Sequence, residues 1–327
     1  MSKPKVYDNN KTLKPQQVLL KVGTRKSKLA LIQAQLVVDK IIGSFPDLKC
    51  KIIPILTTGE QILDKNLYDI GGKALFLKEL ETALVNGQID IAVHSMKDVP
   101  GRLPDSLELA AVLEREDPYE VFVSSNYTSI SDLPKGAILG SSSVRRKVLI
   151  KKQRPDLNIV MFRGNVDTRL NKVMNNEVDG TILAAAGLKR LGLFNSRYCF
   201  PISFKEMLPS LGQGVIVVEI NSNNNFARSI CQRINHNSTW KLMQLERAFV
   251  EYLNADCQTP LSAHAWYIDD YNIEAHFMLA DNNGKSVLFY TSFGNINDAR
   301  NMGLEAAKKL SQTLNLVQRN KGTGENI

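Results

Sequence analysis

Long apolar runs are absent from this chain of 327 residues; none approaches the roughly 18 residues that a membrane-spanning helix needs. Cysteine is scarce. Cys50, Cys199, Cys231 and Cys257 lie far apart and none forms a Cys-x-x-Cys pair, so neither a zinc site nor a disulfide framework is expected. That scarcity fits a reducing, cytoplasmic setting. The first 17 residues lack arginine, an apolar core and an amphipathic pattern, which argues against a secretory signal or a mitochondrial presequence. They read as a flexible start. Helix-turn-helix and zinc-finger spacings are missing too, and no repeat or low-complexity block stands out.

What is present is ordinary globular composition at 36.5 kDa, too long for one core, so two or three domains are expected. A net charge of +8 and a pI near 9.2 point to an anionic partner. Nucleic acid, a membrane surface and an acidic small molecule all satisfy that, and the placement of the arginines has to separate them.

Apolar periodicity predicts strands at 18–22, 51–56 and 89–93, a helix at 28–42 with Leu29, Ile32, Leu36 and Ile41 near one face, and a helix at 75–86 stopped by Gly87. Residues 59–72 read as a loop. Further strands are predicted at 137–139, 158–162, 181–184 and 215–220, with helices between them. Such alternation argues for parallel or mixed sheets covered by helices. From about Asn235 the character changes to α+β: a helix at 240–253, strands at 263–268, 273–280 and 287–293, and a last helix at 298–314 before a polar tail.

Three constellations carry chemistry. In open α/β sheets, ligands bind beyond the carboxyl ends of strands. The strand at 89–93 runs into His94-Ser95-Met96-Lys97-Asp98-Val99-Pro100, which makes Ser95, Lys97 and Asp98 candidates. A turn whose aspartate caps the next segment explains that spacing equally well. The second constellation is basic: Thr24-Arg25-Lys26-Ser27, Ser141 to Arg146, Arg163 to Arg169, and Lys189-Arg190. Each follows a predicted strand and opens onto a predicted helix, where N–H groups and the helix dipole favour anions. Arginine adds a planar fork that grips carboxylates. Any one of these arginines reads as a solvated basic face; four clusters at the same kind of junction point to a cleft for a ligand with several carboxylates. Six of the eleven residues from Val144 to Arg154 are Lys or Arg, which keeps nucleic acid in view. Against it, no aromatics interleave for base stacking and the basic residues are spread over separate units. The third constellation is Asp256-Cys257-Gln258-Thr259-Pro260. A lone cysteine is more often inert, and a nucleophilic role needs surroundings that favour the thiolate.

Taken in order, HSMKDVP (94–100), the paired arginines 145–146, RGNVDTRL (163–170), AAAGLKRLGL (184–193), LGQG (211–214) and DCQTP (256–260) resemble the porphobilinogen deaminase, or hydroxymethylbilane synthase, family over about residues 18–314. The resemblance implies an α/β fold: two periplasmic-binding-protein-like α/β domains plus a smaller α+β C-terminal domain. Domain 1 would span 17–114 plus 213–233, domain 2 119–207 and domain 3 236–316, with flexible ends at 1–16 and 317–327. It implies a transferase of porphyrin (haem) biosynthesis that deaminates four porphobilinogen molecules, joins them on a dipyrromethane cofactor and releases hydroxymethylbilane by hydrolysis. Cys257 would hold that cofactor through a thioether, and Asp98 would be the catalytic carboxylate. Arg25, Ser27, Arg145, Arg146, Arg163, Arg169 and Arg190 would bind carboxylates, with Ser143 and Asn165 beside them and Lys97 on the cofactor side. Lys73, Ser95, Ser141 and Gln213 complete the expected binding set. Porphobilinogen is the implied partner of a cytoplasmic monomer that handles no nucleic acid, membrane or metal.

The chain also departs from the family pattern. Glu60 stands where aspartate is expected, Asp69 where a basic residue is common before Gly71-Gly72-Lys73, Tyr119 where a basic residue is expected, and Arg102 where an acidic one is frequent. Ala255-Asp256 and Ser262 take the place of glycines. Asp256 disfavours a neighbouring thiolate, so cofactor attachment is expected to be slower or more pH-dependent. A non-enzymatic solute-binding protein with two lobes is the main rival; it leaves the third domain and Cys257 unexplained.

Overall fold

The computed structural model describes residues 19–57, 77–256, 258–281 and 283–322. The expected architecture is present: two α/β lobes and a smaller α+β domain. In the first lobe, β1 (Leu19–Arg25), β2 (Lys49–Ile55), β3 (Ile91–Ser95) and β4 (Leu107–Val112) are joined late in the chain by β10 (Ile216–Asn221), in the order β2-β1-β3-β10-β4. β1 pairs in parallel with β2 and β3, whereas β10 is antiparallel to both β3 and β4. The returning chain is thus inserted into the sheet it left. Helix α1 (Lys28–Ser44) buries Ala34, Val37 and Ile41 against Leu20, Val22, Ile91 and Val93. Helix α2 (Lys78–Val85) packs Leu80 and Leu84 onto Ala92 on the opposite face.

The second lobe repeats this plan. β5 (Glu120–Val123), β6 (Ile138–Gly140), β7 (Asn158–Val160), β8 (Gly180–Ala184) and β9 (Cys199–Ile202) are ordered β7-β6-β8-β5-β9. β6 is parallel to β7 and β8, and β5 is the antiparallel insert. Helices α3 (Val144–Gln153), α4 (Val166–Met174) and α5 (Ala185–Arg190) follow β6, β7 and β8 in turn. Helix α6 (Asn225–Ile234) returns to the first lobe and packs Ala227 and Ile230 into its core.

The third domain sets α7 (Asn237–Tyr252) and α8 (Ala299–Gly322) against an antiparallel sheet of β11 (Leu261–Tyr267), β12 (Asn272–Ala280) and β13 (Val287–Asn295). Its core, built on Phe249 and Phe277, runs on into Met96, Val112 and Val217 of the first lobe. Met278 and Ala280 enter the core of the second. One buried carboxylate ties the junction together. Glu246 on α7 accepts from Arg115 Nη2 at 2.7 Å, from Gly212 N–H at 2.7 Å and from Ala265 N–H at 3.0 Å. Both chain crossovers between the lobes are therefore fixed to the third domain. Arg115 also donates to His264 Nδ1 at 2.7 Å; burial, and then that cation, keep His264 far below its usual pKa.

Some elements escape the sequence reading. β4, β5 and β9 are too short to show a clear period, and β9 holds Pro201, tolerated because β9 is an edge strand; α6 was passed over although Ala227, Ile230, Cys231 and Ile234 fall on one face. The last helix was expected to stop at 314, with a flexible end from 317; it continues to Gly322, since no glycine or proline follows Gly303 before that point. The 59–72 loop lies outside the described residues, as do the flexible start at 1–16 and the last residues of the tail.

Candidate active site

β3 ends at the mouth of the first lobe and turns through a short 3-10 segment, Met96–Asp98. Met96 is buried in this turn, and Lys97 and Asp98 are left half-buried at the surface of a cleft. Gly212 makes this turn possible: its φ is +62°, and a Cβ there would lie 2.3 Å from Met96 Cγ. The cleft is about 800 Å3, open to solvent, and is lined by Lys97, Asp98, Ser143, Arg145, Arg146 and Gln213. Asp256 and Thr259, which flank position 257, form part of its wall. Lys97 and Arg146 also line an adjoining recess of about 530 Å3, together with Gln33, Ser95, Arg169 and Arg190.

The opposite wall is α3. Ser143 caps it, its Oγ accepting from Arg146 N–H at 3.4 Å. Ser142 clamps Phe162, donating to its carbonyl at 2.9 Å and accepting from its N–H at 3.0 Å. Ser141 Oγ accepts from Ser143 N–H at 3.3 Å, which places this serine in the turn rather than on the lining of either cavity. Arg145 and Arg146 are buried and converge on Glu120, itself inaccessible to solvent. Arg146 donates from Nε to Oε1 at 3.2 Å and from Nη2 to Oε2 at 2.7 Å, and Arg145 Nη2 binds Oε1. The carbonyls of Leu208 (2.8 Å, to Arg145) and Ile182 (2.7 Å, to Arg146) fix the two forks further. Burial pushes the Glu120 carboxyl up, but Arg146, Arg145 and Lys97 outweigh it and hold it at about 2. Burial lowers the Lys97 ammonium; Asp98 and Glu120 oppose this, while Arg146 and Arg145 add to it.

The remaining candidates divide. Arg169 donates to Gly164 O at 2.8 Å, and burial, then Arg146 and Arg163, lower it to about 10. Arg190 donates to Gly214 O at 2.7 Å across to the second crossover. It sits in the last turn of α5, so Lys189-Arg190 is not at a helix start as expected: α5 is only six residues long and begins at Ala185. Ser27 caps α1, its Oγ accepting from Ala30 N–H at 3.3 Å. Asn165 occupies the cap position of α4 without a side-chain cap bond. Arg25, Ser27, Arg163 and Asn165 line neither cavity. Lys73 and Cys257 lie outside the described residues. Gln213 Nε2 donates to Pro118 O at 2.8 Å, and its buried Oε1 has no hydrogen-bond partner among the described residues.

Two residues were missed. Gln33 is buried on the apolar face of α1 and exchanges hydrogen bonds with Ser95, at 2.9 Å to Ser95 Oγ. A glutamine on a stripe with Ala30, Ala34 and Val37 was the available signal. Glu120 had one as well: a carboxylate opening the apolar run Val121-Phe122-Val123.

The basic run after Ser143 is largely used internally. Lys151 donates to the carbonyls of Pro155 and Leu157, Arg154 binds Asp156 and the carbonyls of Ile130 and Leu133, and Lys152 lies over the Phe289 ring. Among the described residues no cluster of His, Cys, Asp and Glu could hold a metal ion, and no helix is long and apolar enough to cross a membrane. Tyr119 stacks on Phe204 at 4.2 Å, and Ser262 donates to Leu208 O at 3.0 Å, so both departures make contacts of their own.

Residues 20–229 match the sequence profile of the porphobilinogen deaminase dipyrromethane cofactor binding domain, and residues 240–312 that of the porphobilinogen deaminase C-terminal domain. Curated porphobilinogen deaminases are close relatives. That of Rickettsia typhi is 55% identical over 89% of this chain and 97% of its own length. That of Rickettsia akari is 54% identical over 90% of this chain and 98% of its own. Among solved structures, an arginine-specific periplasmic binding protein from Salmonella typhimurium is similar at 14% identity and a TM-score of 0.41, over 66% of this chain and 92% of that one. The sheet orders above rest on their own pairings.

Proposed function

Because the chain belongs to the porphobilinogen deaminase family, we infer that it deaminates porphobilinogen and joins four molecules of it head to tail, releasing hydroxymethylbilane for tetrapyrrole synthesis. The observation that supports this best is the cleft itself, in which Lys97 and Asp98 at the end of β3 share one wall-to-wall space with Arg145, Arg146 and the turn around position 257. Each porphobilinogen carries an acetate and a propionate, so the bound chain gains two carboxylates per addition. Guanidiniums with N–H donors left over from Glu120 bind such groups in forked geometry. Arg169 and Arg190 extend the same cationic surface into the recess, where Gln33 and Ser95 add neutral donors.

Asp98 is the catalytic carboxylate. Loss of ammonia leaves a pyrrole with positive charge spread onto its ring nitrogen, and a carboxylate accepting from that N–H stabilises the charge as it develops. In its acid form the same group protonates the departing amine. Lys97 beside it draws acidic side chains to that end of the cleft.

The residues present fit a dipyrromethane: cations for its carboxylates, and the unpartnered Oε1 of Gln213 as an acceptor for a pyrrole N–H. Cys257 would hold that group through a thioether, and the group would supply the pyrrole carbon onto which the first substrate is joined. Asp256 links the described residues on either side of position 257, its Oδ1 accepting from Gln258 N–H at 3.0 Å and from Thr259 Oγ1 at 3.2 Å. We read the enzyme as a cytoplasmic monomer that binds no nucleic acid; the internal use of its basic run supports the last of these.

Incubation of the purified chain with porphobilinogen tests this. Four ammonia molecules released for each hydroxymethylbilane formed is the expected stoichiometry; binding of porphobilinogen without ammonia release would return the solute-binding reading.

A further inference from the structure

Glu120 opens β5 directly after the first crossover, and no role was expected of it. It lies behind the guanidiniums, away from solvent, and accepts charged N–H donors from both. Among the described residues Arg145 uses two of its five N–H groups on Glu120 and Leu208, and Arg146 three on Glu120 and Ile182. Both therefore keep donors while lining the cleft. Their forks are held in place and their charge is half-neutralised before any ligand arrives. A ligand that gains carboxylates at every step has to move along this wall and finally leave it, so too strong a grip would stall the enzyme. Tight binding of ground states and products does not speed turnover.

We propose that Glu120 sets both the position and the strength of the carboxylate grip: it fixes Arg145 and Arg146 from behind and weakens their hold on the growing pyrrole chain, so that the chain advances and is released. This rests on the reading that the two arginines bind substrate carboxylates.

The test is steady-state kinetics of the cofactor-loaded enzyme carrying Glu120→Gln, which keeps the shape and one acceptor oxygen but removes the charge. KM for porphobilinogen is expected to fall about tenfold and inhibition by inorganic phosphate to strengthen about tenfold, the size of the repulsion relieved for an anion about 10 Å away at an effective dielectric of about 20. kcat falls several-fold, and intact mass spectra taken during turnover show enzyme-bound pyrrole oligomers accumulating. A purely structural role moves KM the other way. A folded Glu120→Gln enzyme with KM at or above that of the parent overturns the proposal. Should that variant not fold, Arg145→Met is compared with Glu120→Gln/Arg145→Met, which restores the buried charge balance. A lower KM in the double variant supports the proposal; an equal or higher one overturns it. Arg145→Met separates the two claims. If it raises KM while Glu120→Gln fails to lower it, the role of Glu120 alone is lost. If it changes neither KM nor phosphate inhibition, the carboxylate-binding reading is lost as well.

Discussion

In each lobe one strand of the parallel set runs into a helix through a serine cap. Ser27 accepts from Ala30 N–H at 3.3 Å after β1, and Ser143 from Arg146 N–H at 3.4 Å after β6. The sheets around these junctions share one topology, three parallel strands followed by an antiparallel insert. What the junctions carry differs. The first turn of α1 begins Lys28-Leu29-Ala30, whereas α3 begins Val144-Arg145-Arg146 and rests on Glu120. In the first lobe the groups proposed to react appear one strand later, where β3 ends in Lys97 and Asp98 without a full helix to cap. On the proposed function, one backbone plan thus serves two tasks: the second lobe grips and the first lobe reacts. The backbone supplies the position, and a few side chains decide the chemistry.

That division can be broken deliberately. The largest effect is expected in the first lobe: Asp98→Asn should lower kcat by roughly 10²–10⁴ with the fold and KM little changed, because charge stabilisation and proton transfer are lost together. Near-parental turnover in this variant removes Asp98 from the chemistry. Gly212→Ala should come next. Its φ of +62° and the 2.3 Å approach to Met96 Cγ force the turn beneath Lys97 and Asp98 to shift. A cost of about 1–3 kcal/mol in urea unfolding, with a fall in kcat, is expected.

Smaller effects sharpen the contrast between the lobes. Ser27→Ala and Ser143→Ala should each cost about 1 kcal/mol as lost caps, but only Ser143→Ala should raise KM markedly, because its helix carries the paired arginines into the cleft. Equal KM changes in the two variants would erase the assigned difference. Glu120 gives the second lobe a pH signature. Its carboxyl is held at about 2 against an ordinary 4.5, so the stability it adds is complete above about pH 4.5 and is lost as pH falls toward 2. Thermal midpoints of the parent should decline through that window, and Glu120→Gln should lose this part of the decline. The smallest effect belongs to Lys152→Ala, which removes a cation 4.4 Å from the Phe289 ring centroid. About 0.5 kcal/mol of stability and no turnover should be lost.

Much of this was legible in the sequence because the site sits where regular elements end. The apolar stretch before His94 marked β3, and the polar residues after it marked the cleft edge. The arginine pair 145–146 was visible as charge just inside a helix start. What stayed hidden depended on long-range packing. Glu120 meets Arg145 and Arg146 only through the pairing of β5 with β8, and four residues are too few to show a period. Gln33 reaches Ser95, 62 positions away, because α1 lies over β3. The helical position of Arg190 was misplaced because α5 is too short to leave a pattern. Ser27 and Ser141 were expected to bind ligand, and their hydroxyls accept backbone N–H groups in their own turns.

The most direct test of the account is the intact mass of the protein purified from cells that make porphobilinogen, measured beside Cys257→Ala. The account predicts a parental mass in excess by two linked pyrrole units, absent from the variant, and rising by further single units when porphobilinogen is added. An unmodified parental mass from such cells would contradict it, leaving a two-lobed protein that binds acidic ligands without building on them.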